Sequence, residues 1–469
     1  MRPNVIVFLT DQQRWDCSSL HGNPLDLMPN FDRLAHAGTH VEHSFTTQPV
    51  CGPARSCLQL GRYATNTGVW KNGLEPRRDL PSLAATFRDN GYTTQYVGKW
   101  HLYDHSPGDY GPVPEDARLG YERWLASNIL EFTSDAYSTR LFDEDGAPHD
   151  LPGYRADACV DAAISRVAAM ADEREPFFLF LSLIEPHHQN SRDDYPAPTG
   201  TRQRYESRWM PPDLAALSVP GSQGNAHQHL AGYYAMVRRL DEAFGRLMDA
   251  LQSLGILEET IVLFTSDHGN HFKTRNAEYK RSCHDASVRV PTMLTGGPFT
   301  GGGTIRQLVS HIDLPATLLD ACGLTVPESF EGSSILPLLR SQGVDQTTSP
   351  GQRRESVFIQ ISESETGRAL RTGRWKYGVR VPGSELEERG YRQSHGETMQ
   401  ECFLYDLYAD PYELNNLVAF DSHRAVCESL RSRLLDWIQT VEGYTPTITG
   451  PDRVVPGGQL SVSEHERSQ

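Results

Sequence analysis

Six stretches of this sequence hold residues whose types and spacing could do chemistry. In Pro49-Val-Cys51-Gly52-Pro53-Ala54-Arg55-Ser56-Cys57-Leu-Gln-Leu-Gly61, Pro53 suits a first helical turn and Gly61 a helix end. Cys51 then lies at or just before a helix N-terminus, where free N–H groups and the dipole favour negative charge. Arg55, one turn in, adds a fixed cation whose fork suits a tetrahedral oxyanion. A nucleophile placed here would face an anionic substrate; a helix cap over a buried cysteine accounts for the stretch equally well.

In Gly98-Lys99-Trp100-His101, a cation and an imidazole two residues apart leave a strand on the same side and can reach one ligand. The alternative is a surface lysine beside a structural histidine. Asp11 with Gln12, and Asp267 with His268, offer hard oxygen ligands plus an imidazole, a set that suits Ca2+, Mg2+ or Mn2+ better than structural zinc. Asp in such a place is also a common turn former. In Glu185-Pro186-His187-His188 the histidines are an acid/base pair or capped loop residues. Lys280, in Lys280-Arg-Ser-Cys-His284-Asp285, read alone is a solvated loop lysine.

The elements that must position these residues are legible nearby. Val5–Leu9, Phe177–Ile184 and Thr260–Thr265 are apolar, β-rich runs, and each ends in one of the polar groups above. Residues 29–38, 83–88, 158–171 and 233–254 read as helices, and 93–97 as a further strand. Alternating helices and buried strands predict an α/β fold, a large and mostly parallel sheet between helices, with ligands beyond the carboxyl ends of the strands. Beyond about residue 345 the texture changes to short strands at 355–360, 368–372, 375–380 and 403–405, then a helix at 423–441. This predicts a domain over 1–345, a smaller antiparallel-sheet subdomain with a packing helix over 346–445, and a polar tail over 446–469. The tail is either without fixed structure or clasped to a second subunit of a homo-oligomer. Segments 104–155 and 189–228 read as loop-rich and would wall a substrate pocket.

Of 469 residues, 44 are Lys or Arg and 60 are Asp or Glu, a net charge of −16 that argues against nucleic acid as a partner. An anionic substrate is not excluded, because a site can be locally positive in a negative molecule. Only Lys71, Lys99, Lys273, Lys280 and Lys376 are lysines, so a lysine among reactive residues carries more weight here than in most chains. The eight cysteines include no Cys-x-x-Cys pair and read as mostly free thiols. Residues 4–9 are too short for a membrane span. A strand starting directly after Met1 predicts a cytoplasmic protein, or else an exported one with its signal peptide replaced.

Taken together, these residues resemble the formylglycine-dependent sulfatases of the alkaline phosphatase superfamily. Cys51-Gly-Pro-Ala-Arg55 matches their Cys-x-Pro-x-Arg maturation motif, and Leu58-Gln-Leu-Gly-Arg62 follows it as in the family. Gly98-Lys-Trp-His-Leu102 matches a second motif. Pro29-Asn-Phe-Asp-Arg-Leu34 resembles their Thr-Pro-Asn-Leu-Asp-x-Leu helix, with Met28 in the Thr place, and Phe403–Leu417 resembles their C-terminal Leu-Tyr-Asp-Leu…Asp-Pro-x-Glu-x-x-Asn-Leu stretch. The likeness runs in order from about residue 3 to 440.

The resemblance implies an alkaline phosphatase-like fold and a sulfuric ester hydrolase. Cys51, which physical reasoning alone makes an activated thiolate, would be oxidised to formylglycine by a formylglycine-generating enzyme, and its hydrate would be the nucleophile. Arg55 would steady the hydrate, Lys99 and Lys280 would hold sulfate oxygens, and Lys280 would stand beside the leaving group. His101 would be the base that regenerates the aldehyde. His187 would contact sulfate or the leaving oxygen as a candidate acid with Lys280. Asp11, Gln12, Asp267, His268 and the modified Cys51 would hold Ca2+, with Mn2+ or Mg2+ as alternatives.

Two positions depart from the common pattern. Gln12 stands where many sulfatases have Asp, and His268 where many have Asn, which lowers the negative charge around the ion. The same pattern resembles the phosphonate monoester and phosphodiester hydrolases of the superfamily, whereas the intact 98–101 motif resembles a sulfatase. The preferred reading is a sulfatase for a small anionic sulfate ester, carried on a carbohydrate. Trp70, Trp100, Trp124, His188, His227, His229 and His284 would supply stacking and polar walls. A non-catalytic binding protein that keeps Cys51 as a thiol is the reading from another class.

Overall fold

The computed structural model describes residues 2–104, 108, 110–171, 173–340, 354–385, 389–456 and 464–469. Apolar β-branched and aromatic runs build the central strands of an 11-stranded sheet: β1 (Asn4–Thr10), β2 (Thr39–Phe45), β3 (Thr93–Lys99), β4 (Arg123–Ser127), β5 (Ser134–Asp135), β6 (Ser138–Asp143), β7 (Pro148–Leu151), β8 (Phe177–Ser182), β9 (Thr260–Ser266), β10 (Met293–Thr295) and β11 (Gly303–Ser310). The spatial order is β11-β2-β10-β9-β1-β8-β3-β4-β6-β5, with β7 beside β6. The run β9-β1-β8-β3-β4 is parallel, and β10, β6, β5 and β7 pair antiparallel.

Both faces are covered, as a parallel sheet requires. On one side the helices Arg155–Met170 and Ala226–Ser253 pack with α1 (Pro29–Ala37) on Ile6, Phe8, Leu179, Leu181 and Phe264. On the other, Val5, Val7, Phe178 and Phe180 join an aromatic group in which Tyr96 stacks on Trp124 at 5.2 Å and meets Trp100 edge-on at 4.9 Å. Trp100 and Trp124 are therefore core residues and not pocket walls, because their rings fill the space behind β3 and β4. His227 is exposed on the long helix, and His284 is buried against the Tyr405 hydroxyl at 3.1 Å, so neither walls a pocket with them.

A second sheet runs β12 (Ser356–Ile361), β13 (Gly367–Thr372), β14 (Trp375–Arg380), β15 (Thr398–Asp406) and β16 (Thr447–Thr449). It is antiparallel apart from β16, which pairs parallel to β15. The helix Arg424–Glu442 covers it, and Cys57, Tyr63 and Ile312 from the larger sheet's side share that core. The expected boundary at residue 345 lies outside the described residues.

Three expectations are corrected. Segment 104–155 is not loop alone: it holds β4 to β7, strands too short and too polar to stand out from their Gly, Pro and Tyr surroundings. The long helix starts at Ala226, seven residues before the apolar spacing becomes regular. The end of the tail, Glu464–Ser468, packs on its own chain, where Trp375 Nε1 donates to the Glu466 carbonyl at 2.7 Å and Arg374 pairs with the Glu466 carboxylate at 3.0 Å.

Register sets the site. Leu9 lies level with Ser182, Thr10 with Ser266 and Gly98 with Ser182, so four neighbouring strands end together. Gly98 has φ +108°, and a Cβ there would stand 2.0 Å from the Ser182 carbonyl oxygen, so only glycine lets β3 reach Lys99 beside β8. Gly98→Ala is expected to cost about 2–4 kcal/mol in urea unfolding, from left-handed strain plus overpacking. A loss under about 0.5 kcal/mol would show that the strands part freely here.

Candidate active site

Four strand ends and one helix N-terminus deliver the site. Cys51 opens α2 (Cys51–Leu60), and its sulfur is 2.8 Å from Lys280 Nζ, 3.3 Å from His268 Nε2 and 3.6 Å from Asp11 Oδ1. His101, just beyond β3, is in hydrogen-bonding reach of the same sulfur. Burial opposes ionisation of the Cys51 thiol, but Lys280 and Lys99 above all hold it well below the ordinary thiol value.

The arginine does something other than face the open site. Arg55 Nη2 lies 3.0 Å from Asp11 Oδ2 and 3.1 Å from Asp267 Oδ2, while Nη1 donates to the Lys99 carbonyl at 3.0 Å and to Ser182 Oγ. One guanidinium thus joins the ends of β1, β3, β8 and β9. Lys99 Nζ donates to Asp11 Oδ2 at 2.8 Å and to Glu131 Oε1 at 3.1 Å. Burial opposes its charge, but Asp11, Cys51 and Glu131 outweigh that and hold its pKa above the ordinary lysine value. Glu131 was not singled out from sequence; its one available signal is a lone acid inside the apolar run Ile129-Leu130-Glu131-Phe132.

His187 and Lys280 form the opposite wall. His187 Nδ1 lies 2.6 Å from the His188 carbonyl, which makes it the N–H donor and leaves Nε2 to accept from Lys280 Nζ at 3.1 Å. Burial and Lys280 both lower the His187 pKa, so the ring is neutral near pH 7. Its ring stacks on His188 at 4.4 Å, and His188 meets Tyr279 at 4.3 Å. Of the residues expected as pocket walls, His188 alone stands in this row; His229 packs behind it on Tyr195, and Trp70 carries Lys71 over its ring at 5.1 Å.

The ligand atoms of Asp11, Cys51, Asp267 and His268 all lie within 4.8 Å of one another and are buried. His268 Nδ1 is 3.0 Å from the Gly269 carbonyl, so Nε2 turns its lone pair toward the cluster. Gln12 adjoins the cluster through its backbone N–H, which donates to Asp267 Oδ1 at 3.1 Å; its backbone is left-handed, φ 67°, and neither its Oε1 nor its Nε2 has a hydrogen-bond partner although both are buried. An unpaired buried amide costs roughly 1–3 kcal/mol, which an ion held by Oε1 would relieve. Burial and the Asp11 carboxylate push Asp267 up against the pull of Arg55, a strain that a cation removes. Oxygen donors with one imidazole fit a hard divalent ion.

Comparison with known proteins agrees with this geometry. The sulfatase family model matches residues 3–324, and the model for the C-terminal part of N-sulphoglucosamine sulphohydrolase matches residues 278–440. An ulvan-active sulfatase of Formosa agariphila is 28% identical over 92% of this chain and 80% of its own length. An N-acetylglucosamine-6-O-sulfatase of Bacteroides thetaiotaomicron is 23% identical over 89% of this chain and 82% of its own. A solved structure from Bacteroides thetaiotaomicron, described with its metabolism of multiple glycosaminoglycans, superposes with TM-score 0.79 at 22% identity, over 94% of this chain and 97% of the other.

Two measurements test the site as described. Asp267→Asn and Gln12→Ala should each weaken binding of a hard divalent ion on the order of 10–100-fold, read, with Ca2+, Mg2+ and Mn2+ each added in turn, as loss of the ion-induced rise in melting temperature; an unchanged rise would remove them from the ion's shell. Glu131 is buried, which opposes its charge, yet Lys99 above all holds it down at about 2. Its contribution is therefore complete above its unfolded value and fades as pH falls toward 2. Glu131→Gln should cost roughly 3 kcal/mol in urea at pH 7 and less than half that at pH 3; a loss independent of pH would mean that packing, not charge, is what Glu131 supplies. The motifs, the fold and the family model converge: this chain belongs to the formylglycine-dependent sulfatase family of the alkaline phosphatase superfamily and is a sulfuric ester hydrolase.

Proposed function

We propose that this sulfatase hydrolyses a sulfate ester borne on a carbohydrate, with Cys51 matured to formylglycine by a formylglycine-generating enzyme. The observation that carries the reading is the convergence on Cys51: Lys280, His187, Lys99 and His101 on one side and the carboxylate cluster on the other. The sugar is supported by the relatives named for ulvan and for N-acetylglucosamine 6-O-sulfate. Formylglycine hydrate would put its oxygen where the Cys51 sulfur now stands, and a divalent ion (Ca2+, with Mn2+ or Mg2+ as alternatives) held by Asp11, Gln12, Asp267, His268 and the matured Cys51 would offset charge on the sulfuryl oxygens.

The chain's own groups divide the remaining work by their free protons. An ammonium has three N–H bonds. Lys99 uses two on Asp11 and Glu131, which leaves one for a sulfuryl oxygen. Lys280 uses two on Cys51 and His187, which leaves one for the leaving group. Because neutral His187 accepts at Nε2, Lys280 is the group that carries a proton to the departing alkoxide, and His187 orients it. Such acid help adds roughly 10²–10⁴-fold. His101, with a buried, unpaired Nδ1 and a strained backbone, φ 61°, would be the base that restores the aldehyde. Arg55 serves the reaction by holding Asp11 and Asp267.

The test is a panel of sugar sulfates, aryl sulfates, phosphonate monoesters and phosphate diesters on matured protein, with Cys51→Ala as the blank. Turnover of sulfate esters, with a sugar sulfate preferred over an aryl sulfate, is the expected result. Preference for phosphonates or diesters would select the other branch of the superfamily. Mass spectrometry of the Cys51 peptide should find the aldehyde; a retained thiol in protein from its native host would leave the binding-protein reading in its place.

A further inference from the structure

Two loops must stand in register for Cys51 and Lys280 to meet, and they belong to distant parts of the chain. Both are gripped by one carboxylate from the smaller sheet. Glu363, in the β12–β13 turn, is buried, and its Oε1 accepts from the Asn72 backbone N–H at 2.7 Å. Asn72 Oδ1 in turn accepts from the N–H of Gly52, the residue after Cys51, at 2.9 Å. Glu363 Oε2 pairs with Arg281 Nη2 at 2.6 Å, and Arg281 directly follows Lys280. The contact of Lys280 Nζ with the Cys51 sulfur closes the ring.

The grip is held under strain. Arg281 and Glu363 both have left-handed backbone, φ 66° and φ 69°. Neighbours fix each of them: Ser364 Oγ donates to the Arg281 carbonyl at 2.6 Å, and Glu363 N donates to the Gly390 carbonyl at 3.0 Å. Non-glycine residues keep such conformations only where the surroundings over-determine them. A loop that relaxed would swing Lys280 away from the sulfur while the strand ends, held by Arg55, stayed in place.

We infer that Glu363 is a positioning residue for the reaction: it sets the separation between the Cys51 nucleophile position and Lys280, so the smaller sheet completes the active site. The inference rests on the proposed role of Lys280 as proton donor. Its effect must then depend on the leaving group. An aryl oxide such as 4-nitrophenolate departs without a proton, and a sugar alkoxide does not.

The experiment compares kcat on 4-nitrophenyl sulfate with kcat on the best sugar sulfate of the panel, for matured wild type, Glu363→Ala, Glu363→Gln, Lys280→Ala and the Glu363→Ala/Lys280→Ala double variant. Glu363→Ala should lower kcat about 100-fold on the sugar sulfate and under about threefold on the aryl sulfate, with KM little changed. Glu363→Gln, which keeps an acceptor for Asn72, should recover part of the loss. The double variant should fall no further than Lys280→Ala on the sugar sulfate. Equal losses on both substrates, or additive losses, would overturn the inference. If Lys280→Ala itself shows no leaving-group dependence, the proton-donor reading fails separately. Amide hydrogen exchange then decides for Glu363: faster exchange in peptides 50–54 and 276–283 of Glu363→Ala supports the grip, and unchanged exchange refutes it.

Discussion

The structure depends on one guanidinium. Arg55 is 2% exposed and touches groups at the carboxyl ends of β1, β3, β8 and β9 at once. Each of those strands is driven into place by apolar burial, which is non-directional and does not by itself align their last residues. A fixed planar cation does so, because its fork has one geometry. Removing one side of such a buried pairing typically costs about 3–5 kcal/mol, since two carboxylates would be left facing each other without a counter-ion. The position of α2 follows from the same contact: with Arg55 anchored, Cys51 at the helix N-terminus is held within the cluster.

Charge explains how a protein of net charge −16 can hold an anion. The acidic excess is spread over the surface, whereas Arg55, Lys99 and Lys280 meet in a buried space where fields are poorly screened. Two of the five lysines, Lys99 and Lys280, lie there, and a third braces the site from behind. Lys376 is buried and bonds the Cys283 carbonyl at 2.5 Å, Asp285 at 2.6 Å and Glu413 at 3.1 Å, which pins the chain just beyond Lys280. Asp285 N in turn donates to Glu413 Oε2 at 2.7 Å. The C-terminal stretch that contains Glu413 therefore has a mechanical link to the reactive lysine.

The legible part of the fold was the part with strong periodicity or unbroken apolar runs: β1, β8, β9 and the long helix. Strands β4 to β7 were missed because short, partly exposed strands at a sheet margin need little apolar pattern. The tryptophans were misassigned for a related reason. An aromatic side chain announces burial or stacking, and only packing decides between them; Trp100 and Trp124 went to the core. Within the site, Asp11, Gln12, Cys51, Arg55, Lys99, His101, His187, Asp267 and His268 stood out because they fall at or just past strand ends or at a helix start, whereas Lys280, in a loop, stood out only through the family resemblance. Glu131, Asn72 and Glu363 did not, since each acts through a contact with a residue far along the chain.

By itself, then, the sequence determined the kinds of group available, their attachment to particular element ends, and the family to which the chain belongs. Those are local properties, written in motif spacing and in the two periodicities of helix and strand. The tertiary structure decided which groups face the open site and which serve beneath it: Arg55 on the carboxylates, Lys280 with a proton free, His187 as its acceptor, and Glu363 spanning two loops. These assignments follow from hydrogen-bond partners brought together across up to several hundred residues, and a donor's free valence is known only when its other valences are filled.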